Sequence, residues 1–159
     1  MKYLLLACLF LSLLSCNDSS ENASEEIITE EITFTKEGEL KVYKSDGSII
    51  PLNIEFAETS YETSTGLMYR DSMEEDQGML FIFSFPSIHN FYMKNTEIPL
   101  DIIYIKANNK IATIAANAEP FSEQSLSSKV PVQYVLEING GLTEDWNIKV
   151  GDSISYTKD

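Results

Sequence analysis

Short runs of alternating apolar and polar residues, separated by turn residues, make up most of the chain beyond residue 36. Such alternation is typical of strands that bury one face. Asn108-Asn109 and Gly140-Gly141 are typical of the turns between strands. The pattern predicts roughly eight short strands, at residues 39–44, 49–56, 79–85, 90–94, 100–106, 111–116, 132–138 and 153–156.

One helix is predicted near residue 60, and a short helical turn near 143–146. Thr59 or Ser60 can cap the helix, because a side-chain oxygen at this position accepts a hydrogen bond from the free amides of the first turn. Gly66 falls inside the predicted helix, where it costs about 1 kcal/mol relative to Ala and indicates close packing against a strand. These elements predict a mainly β (α+β) fold, a small antiparallel β-barrel-like domain with one packed helix.

The amino-terminal residues follow the pattern of a secretory signal. Lys2 precedes an apolar run at 3–14 that only Ser12 interrupts. This run is too short to cross a bilayer, which needs about 20 apolar residues, but it suits the apolar region of a signal peptide. We therefore expect residues 1–15 to be removed and the protein to be exported.

The end of this signal, residues 13–16 (LLSC), resembles the lipobox of bacterial lipoproteins, in which cleavage falls just before the Cys. The resemblance implies that the Cys16 sulfur carries diacylglycerol, and it allows a third acyl chain, such as palmitate, on the Cys16 amine. Two chains are enough for stable anchoring. We expect a protein held on the bacterial cell envelope, on the periplasmic side or at the cell surface; an ordinary secreted protein with a free Cys16 is the alternative.

The chain is polar between this Cys and the first predicted strand, and residues 17–31 contain six acidic side chains and no basic one. Such a stretch cannot bury enough apolar surface to fold by itself. We expect residues 16–35 to form the lipidated Cys and an acidic flexible tether, and residues 36–159 to form a single globular domain. An acidic interaction tail is the alternative to a tether.

Acidic residues outnumber basic ones by 25 to 11, which gives a formal net charge of −14. This balance argues against a nucleic-acid partner, because phosphate binding needs clustered Lys and Arg. Cys8 lies in the signal, so Cys16 is the only remaining thiol, and His89 is the only histidine. Zinc sites use several Cys or His ligands, and the acidic side chains at 71–76 do not follow the spacing of a calcium loop. We therefore expect no metal and no cofactor.

Several motifs in the middle and last thirds of the chain resemble those of domain-of-unknown-function family 192. They are residues 66–70 (GLMYR), 78–81 (GMLF), 91–101 (FYMKNTEIPLD), 134–137 (YVLE) and 150–152 (VGD). The resemblance covers about residues 50–157 and implies a small β-rich domain, often exported. The family has no established activity, so the resemblance implies no mechanism. Many members carry a Cys pair in the loop at 121–130, where this chain has four Ser, so a disulfide or metal role for that loop is not implied here.

Asp101 stands inside a strongly apolar run at 99–105, where it would share a strand face with isoleucines. A carboxylate on an apolar face has to be paired, hydrogen-bonded or neutralised. Arg70 is the expected partner, because a planar guanidinium can satisfy both carboxylate oxygens, and Lys94 is the second candidate. One interpretation is a buried ion pair that locks the helix onto the sheet.

The other interpretation is a ligand-binding or catalytic cluster. Its polar members would be Arg70, Lys94, Asn95 and Asp101. Its walls would form a small polar cup, lined by Met68, Met93, Phe91 and Tyr92. The structural alternatives are that the Met and aromatic residues belong to the hydrophobic core and that Asn95 fixes a turn. A further hypothesis is a carboxylate pair of the kind that glycosidases use, made by Glu119 and Glu137.

Three functional hypotheses follow for the domain. The first is a non-enzymatic binding or interaction module that takes a small molecule, an envelope polymer or a protein partner. The second is an enzyme, such as a hydrolase, that uses Asp101 with Arg70, Lys94 and Asn95. The third is a passive structural envelope lipoprotein. A concave pocket with Asp101 at its floor would favour the first two hypotheses, and a buried Asp101–Arg70 pair without a cavity would favour the third.

Overall fold

The structure, a computed structural model, describes residues 32–159. The signal peptide, Cys16 and most of the predicted tether lie outside the described residues. The described part contains nine strands and two short helices, in the order β1 (Gly38–Tyr43), β2 (Ile49–Ala57), α1 (Ser60–Thr65), β3 (Gln77–Ser87), β4 (Asn90–Phe91), β5 (Leu100–Ile105), β6 (Ile111–Ala118), β7 (Leu126–Ser127), β8 (Val132–Asn139), α2 (Leu142–Asp145) and β9 (Ser153–Lys158). The mainly β prediction is confirmed, and each predicted strand overlaps an observed one. No helix within residues 32–159 has the length and apolar character needed to span a membrane.

Seven strands form one sheet in the order β6-β5-β8-β3-β2-β1-β9, and β4 pairs with β7 in a separate two-stranded sheet. Neighbours in the large sheet are antiparallel, with one exception. Strands β2 and β3 run parallel, in a register that extends from Asn53 opposite Gln77 to Ala57 opposite Phe81. Parallel neighbours need a crossover connection, and here that connection contains α1.

The two edge strands of the large sheet, β6 and β9, approach each other at one end. An isolated bridge joins Lys110 to Ser153, and the Ile111 amide donates to the Asp152 carbonyl over 2.9 Å. The sheet therefore curves far enough for its edges to touch, but it does not close into a barrel. The predicted barrel-like shape is therefore correct only in that the sheet is curved and its two edges meet at one end.

Apolar side chains cover both faces of the sheet, because successive residues of a strand point to opposite faces. On the first face Leu80, Ile103 and Leu136 belong to a large buried cluster with the side chains of β1, β2 and β9. On the second face Phe81 and Tyr104 belong to a separate buried cluster that the segments after α1 and around β4 cover. The candidate site described below lies on the second face.

Helix α1 begins as the sequence predicts and ends earlier. The Thr59 hydroxyl accepts from the Glu62 amide, and the Glu62 carboxylate accepts from the Thr59 amide, which is a complete capping box. The helix stops at Thr65, so Gly66 follows the helix instead of lying inside it, with a φ of 50°. The expected close packing is confirmed, since a Cβ at position 66 would lie 3.0 Å from the Phe81 ring of β3.

Candidate functional site

The Asp101 carboxylate is buried on β5 and is satisfied without a cation. It accepts hydrogen bonds from the amides of Asn117 (2.7 Å), Gly141 (3.0 Å) and Thr143 (2.7 Å), and from the Thr143 hydroxyl (2.7 Å). The four donors use both oxygens, so the carboxylate has its hydrogen-bond partners within the protein. The predicted pairing of Asp101 with Arg70 is therefore wrong, and Asp101 instead joins the end of β6 to the turn that opens α2.

Arg70 is paired with a different carboxylate. Its Nη1 lies 2.6 Å from the Glu55 Oε2, and both side chains are about nine-tenths buried. The other Glu55 oxygen accepts from the Thr35 amide over 2.9 Å. Glu55 stands on β2, three strands away from Asp101 in the sheet order. Because the chain leaves α1 beside β2, Arg70 reaches the carboxylate on that strand and not the one on β5.

The remaining polar candidates form a turn. Asn95 adopts a left-handed φ of 56°, its side-chain amide donates to the Tyr69 hydroxyl over 2.8 Å, and its carbonyl accepts from the Tyr69 amide over 2.8 Å. The Lys94 side chain is exposed, and Met93 is buried in the second core cluster. The predicted cluster of Arg70, Lys94, Asn95 and Asp101 is thus not assembled. Arg70, Asn95 and Asp101 have separate partners, and the Lys94 side chain is exposed.

A cavity of about 260 Å³ opens on the second face of the sheet, beside α1. Its walls include Met68, Phe91 and Tyr92, which were predicted to line a polar cup. The other lining residues are Thr63, Ser64, Thr65, Gly66, Leu67, Phe81, Phe83, His89, Asn90, Thr96 and Glu137. Three of the four predicted wall residues thus border a cavity, and the fourth, Met93, is buried in the second core cluster. The polar group that they surround, however, differs from the predicted one.

Glu137 provides the ionisable group of this cavity. It lies on the interior strand β8, opposite Met79 of β3 and Ile102 of β5, and only 5 % of the residue is exposed. A Cβ on Gly66 would lie 3.8 Å from the Glu137 Oε2, so the carboxyl group lies close to the Gly66 turn. Among residues 32–159, no side chain or amide makes a hydrogen bond with it. Burial raises the pKa of Glu137 from 4.5 to about 8, because a charged carboxylate loses its hydration there.

The groups around Glu137 offer it no positive charge. No Lys or Arg lines the cavity. His89 stacks on Phe83 with ring centroids 3.6 Å apart, and burial lowers its pKa, which keeps the imidazole neutral at pH 7. The Tyr104 hydroxyl donates to the Leu126 carbonyl over 2.6 Å, and burial, with the nearby Glu137, raises the pKa of this phenol. At neutral pH the cavity therefore holds a protonated carboxylic acid.

A second cavity of about 330 Å³ lies on the other side of the segment that follows α1. It shares Thr65, Gly66 and Met68 with the first cavity, and the Glu55–Arg70 pair lies in its wall. Within the described part of the chain, no group of three or more His, Cys, Asp or Glu residues is placed to hold a metal ion.

Sequence reasoning considered Glu137 only as half of a carboxylate pair with Glu119. The structure does not support that pair, since Glu119 is exposed just beyond β6 and does not line the cavity. The available signal was the position of Glu137 within the apolar run at 135–138. The same argument had been applied to Asp101, whose carboxylate proved to be satisfied.

Comparisons with known proteins identify the family to which this chain belongs. Residues 41–156 match the model of domain-of-unknown-function family 192 (DUF192), described as "Uncharacterized ACR". The chain belongs to this family, as its motifs indicated. A comparison with curated proteins gives no match.

Two crystal structures share the fold. One is a protein from Sinorhizobium meliloti 1021, provisionally described as a transcription regulator, with a TM-score of 0.75, 36 % identity, and coverage of 79 % of this chain and 97 % of that one. The other is a protein of unknown function from Novosphingobium aromaticivorans DSM 12444, with a TM-score of 0.71, 39 % identity, and coverage of 74 % and 83 %.

The observed ion pair predicts the outcome of two double-mutant cycles. Arg70→Met should lower the free energy of unfolding by about 3–5 kcal/mol, because it leaves Glu55 buried without its cation. Adding Glu55→Gln should recover a large part of this loss. By contrast, the effects of Asp101→Asn and Arg70→Met should add within about 0.5 kcal/mol, because the two residues share no partner.

Chemical denaturation of the three single and two double variants measures these energies. Strong coupling between Asp101 and Arg70, or a Glu55–Arg70 double variant no more stable than Arg70→Met, would contradict the observed pairing.

Proposed function

We propose that this domain is a non-enzymatic binding module that holds a small ligand in the Glu137 cavity. One observation carries the proposal: the carboxyl group of Glu137, on the interior strand β8, faces a cavity and has no hydrogen-bond partner among the described residues. The fully buried side-chain atoms without a hydrogen-bond partner in the described residues are the Glu55 Oε2 and the Arg70 Nε, so the Glu137 oxygens are open to the cavity and accessible to a ligand there. A ligand that bonds to Glu137 would supply the missing partner.

The cavity walls support this proposal. Phe81, Phe83, Phe91 and Tyr92 surround the Glu137 carboxyl group, the His89 imidazole and a few hydroxyl groups. Ligand sites characteristically combine apolar and aromatic walls with a small number of polar groups. A buried acid with a strongly raised pKa that lies in such a cleft is also a recognised sign of a functional site.

The other two hypotheses receive less support. The hydrolase hypothesis relied on a cluster of Arg70, Lys94, Asn95 and Asp101, and the described residues do not bring these four side chains together. The hypothesis of a passive structural protein assumed a buried Asp101–Arg70 pair and no cavity. A cavity exists, although Glu137 and not Asp101 lies at its floor.

We do not propose a role in transcription for this chain, although the Sinorhizobium protein is provisionally described as a transcription regulator. Binding to DNA requires Lys and Arg clustered over the phosphates. This chain carries 25 acidic and 11 basic residues. A small ligand agrees better with that charge and with the size of the cavity.

Binding of benzyl alcohol at pH 6 tests the proposed cavity. Its ring matches the aromatic walls, and its hydroxyl can pair with the protonated Glu137. We expect saturable amide shifts at Gly66, Leu67 and Thr96 in ¹H–¹⁵N spectra of the purified protein, with a dissociation constant of about 1 mM, as is usual for so small a ligand.

Two matched variants locate the binding. Ser64→Trp places an indole at a residue that lines the cavity and should weaken binding at least about tenfold by filling the space. Ser60→Trp makes the same change on the same helix, at a residue that lines neither cavity, and should bind as the wild type does. Absence of saturable binding, or equal binding by both variants, would refute the proposal.

We further propose that the module is exported and held on a bacterial envelope membrane through lipid on Cys16. Support comes from the short apolar run that ends in LLSC and from the polar residues that follow it. Such an anchor would present the cavity to ligands outside the cytoplasm.

Metabolic labelling in a bacterial host tests the anchor. We expect the wild-type protein to incorporate labelled palmitate and Cys16→Ser to incorporate none, because the thiol that initiates lipidation is lost. Cys8→Ser, a matched change within the signal, should leave incorporation unchanged. Label retained in Cys16→Ser would show that the anchor does not lie at this residue.

A further inference from the structure

We propose that the ligand of the Glu137 cavity is a small organic ammonium ion, with its cationic group against Glu137 and the aromatic side chains around it. This inference deepens the proposed binding function and rests on it. Three features of the cavity carry the inference: the sign of its charge, the nature of its walls and its size.

The charge that the cavity walls can supply is negative. Glu137 is its single acid, no Lys or Arg lines it, and His89 is held neutral by burial. An anionic ligand would meet a carboxyl group without any cation to balance it. An ammonium ion would instead complete a buried, oppositely charged pair, which is how buried charges are usually accommodated.

The walls suit a cation. Phe81 and Phe91 meet edge to face with centroids 5.0 Å apart, and Phe83 and Tyr92 add two further rings. The faces of aromatic rings carry partial negative charge and attract ammonium groups, by about 2 kcal/mol or more where water is excluded. Such an array of rings is the usual environment for quaternary and methylated ammonium ligands.

The size and the surroundings set further limits. A volume of about 260 Å³ lies below the range of about 300–1,000 Å³ typical of drug-sized ligands, so the cationic ligand is small. The formal net charge of −14 also raises the local concentration of cations and lowers that of anions near the surface.

The surroundings of Glu137 also determine how binding depends on pH. The titratable groups packed around it are Tyr104 on β5, His89 in the cavity wall, and the Glu55–Arg70 pair, which lies beyond Met79 on the same face. Burial raises the pKa of Tyr104 and lowers that of His89, so both stay largely neutral near pH 7 and Glu137 dominates the response. With its pKa at about 8, the ionised fraction rises about 50-fold over this interval, and so should the affinity for a cation.

Choline and its neutral isostere 3,3-dimethylbutan-1-ol provide a matched pair of probes, because they differ in charge but hardly in shape. By calorimetry or NMR titration at pH 8, we expect choline to bind at least about tenfold more tightly. Its affinity should rise by about one to two orders of magnitude from pH 6 to pH 8, while that of the isostere should not rise.

Glu137→Gln keeps the shape of the side chain and removes the charge, so it should abolish both the preference for choline and its pH dependence. Glu119→Gln, which removes an exposed charge of the same kind, should preserve both. Circular dichroism of each variant confirms that the fold is intact.

The possible results separate this inference from the proposed function. Equal affinities for choline and its isostere, or a preference for choline that survives Glu137→Gln, would overturn the inference while benzyl alcohol still binds. Loss of binding for all three compounds would overturn both proposals.

Discussion

A carboxyl group buried in a sheet has to be matched by donors, by a cation or by a proton, and this domain uses all three solutions. Asp101 accepts four hydrogen bonds, and Asp152 accepts two, from the amides of Ser45 and Lys149. Glu55 is paired with Arg70. Glu137 has none of these partners among the described residues and retains its proton at neutral pH.

The first two solutions hold the architecture together. Asp101 connects β5 to the residues after β8 and to β6, and Asp152 connects the turn before β9 to the β1–β2 turn. The Glu55–Arg70 pair fixes the segment after α1 over the parallel strands β2 and β3. These carboxylates are scaffold, because their partners belong to the protein. Glu137 differs, because its carboxyl group faces a cavity and has no such partner among the described residues. This difference is the physical reason for placing ligand binding there.

Local patterns predicted the elements of this fold well, because strand alternation and helix capping depend on residues close in sequence. The cap of α1 at Thr59 is an example. Strand β7 was missed because two residues are too few for a periodic pattern, and the parallel pairing of β2 with β3 was missed because it depends on the path of a crossover.

The partners of buried charges could not be predicted in the same way. Arg70 lies 15 positions from Glu55 and 31 from Asp101, and sequence alone does not show which carboxylate it reaches. The argument that a charge among apolar residues needs explanation was sound for both Asp101 and Glu137. Only the packed structure shows that amides satisfy the first and that the second faces a cavity.

The central claim, that Glu137 is buried with its proton, is tested most directly by the free energy of unfolding from pH 5 to pH 9, for wild type and Glu137→Gln. The folded pKa of about 8 lies above the ordinary 4.5, so the contribution of Glu137 to stability is complete below pH 4.5 and is lost as pH rises towards 8. We predict that the stability of the wild type relative to the variant falls by about 1.4 kcal/mol per pH unit up to pH 8 and then levels off. A difference that stays constant across this range would contradict the account.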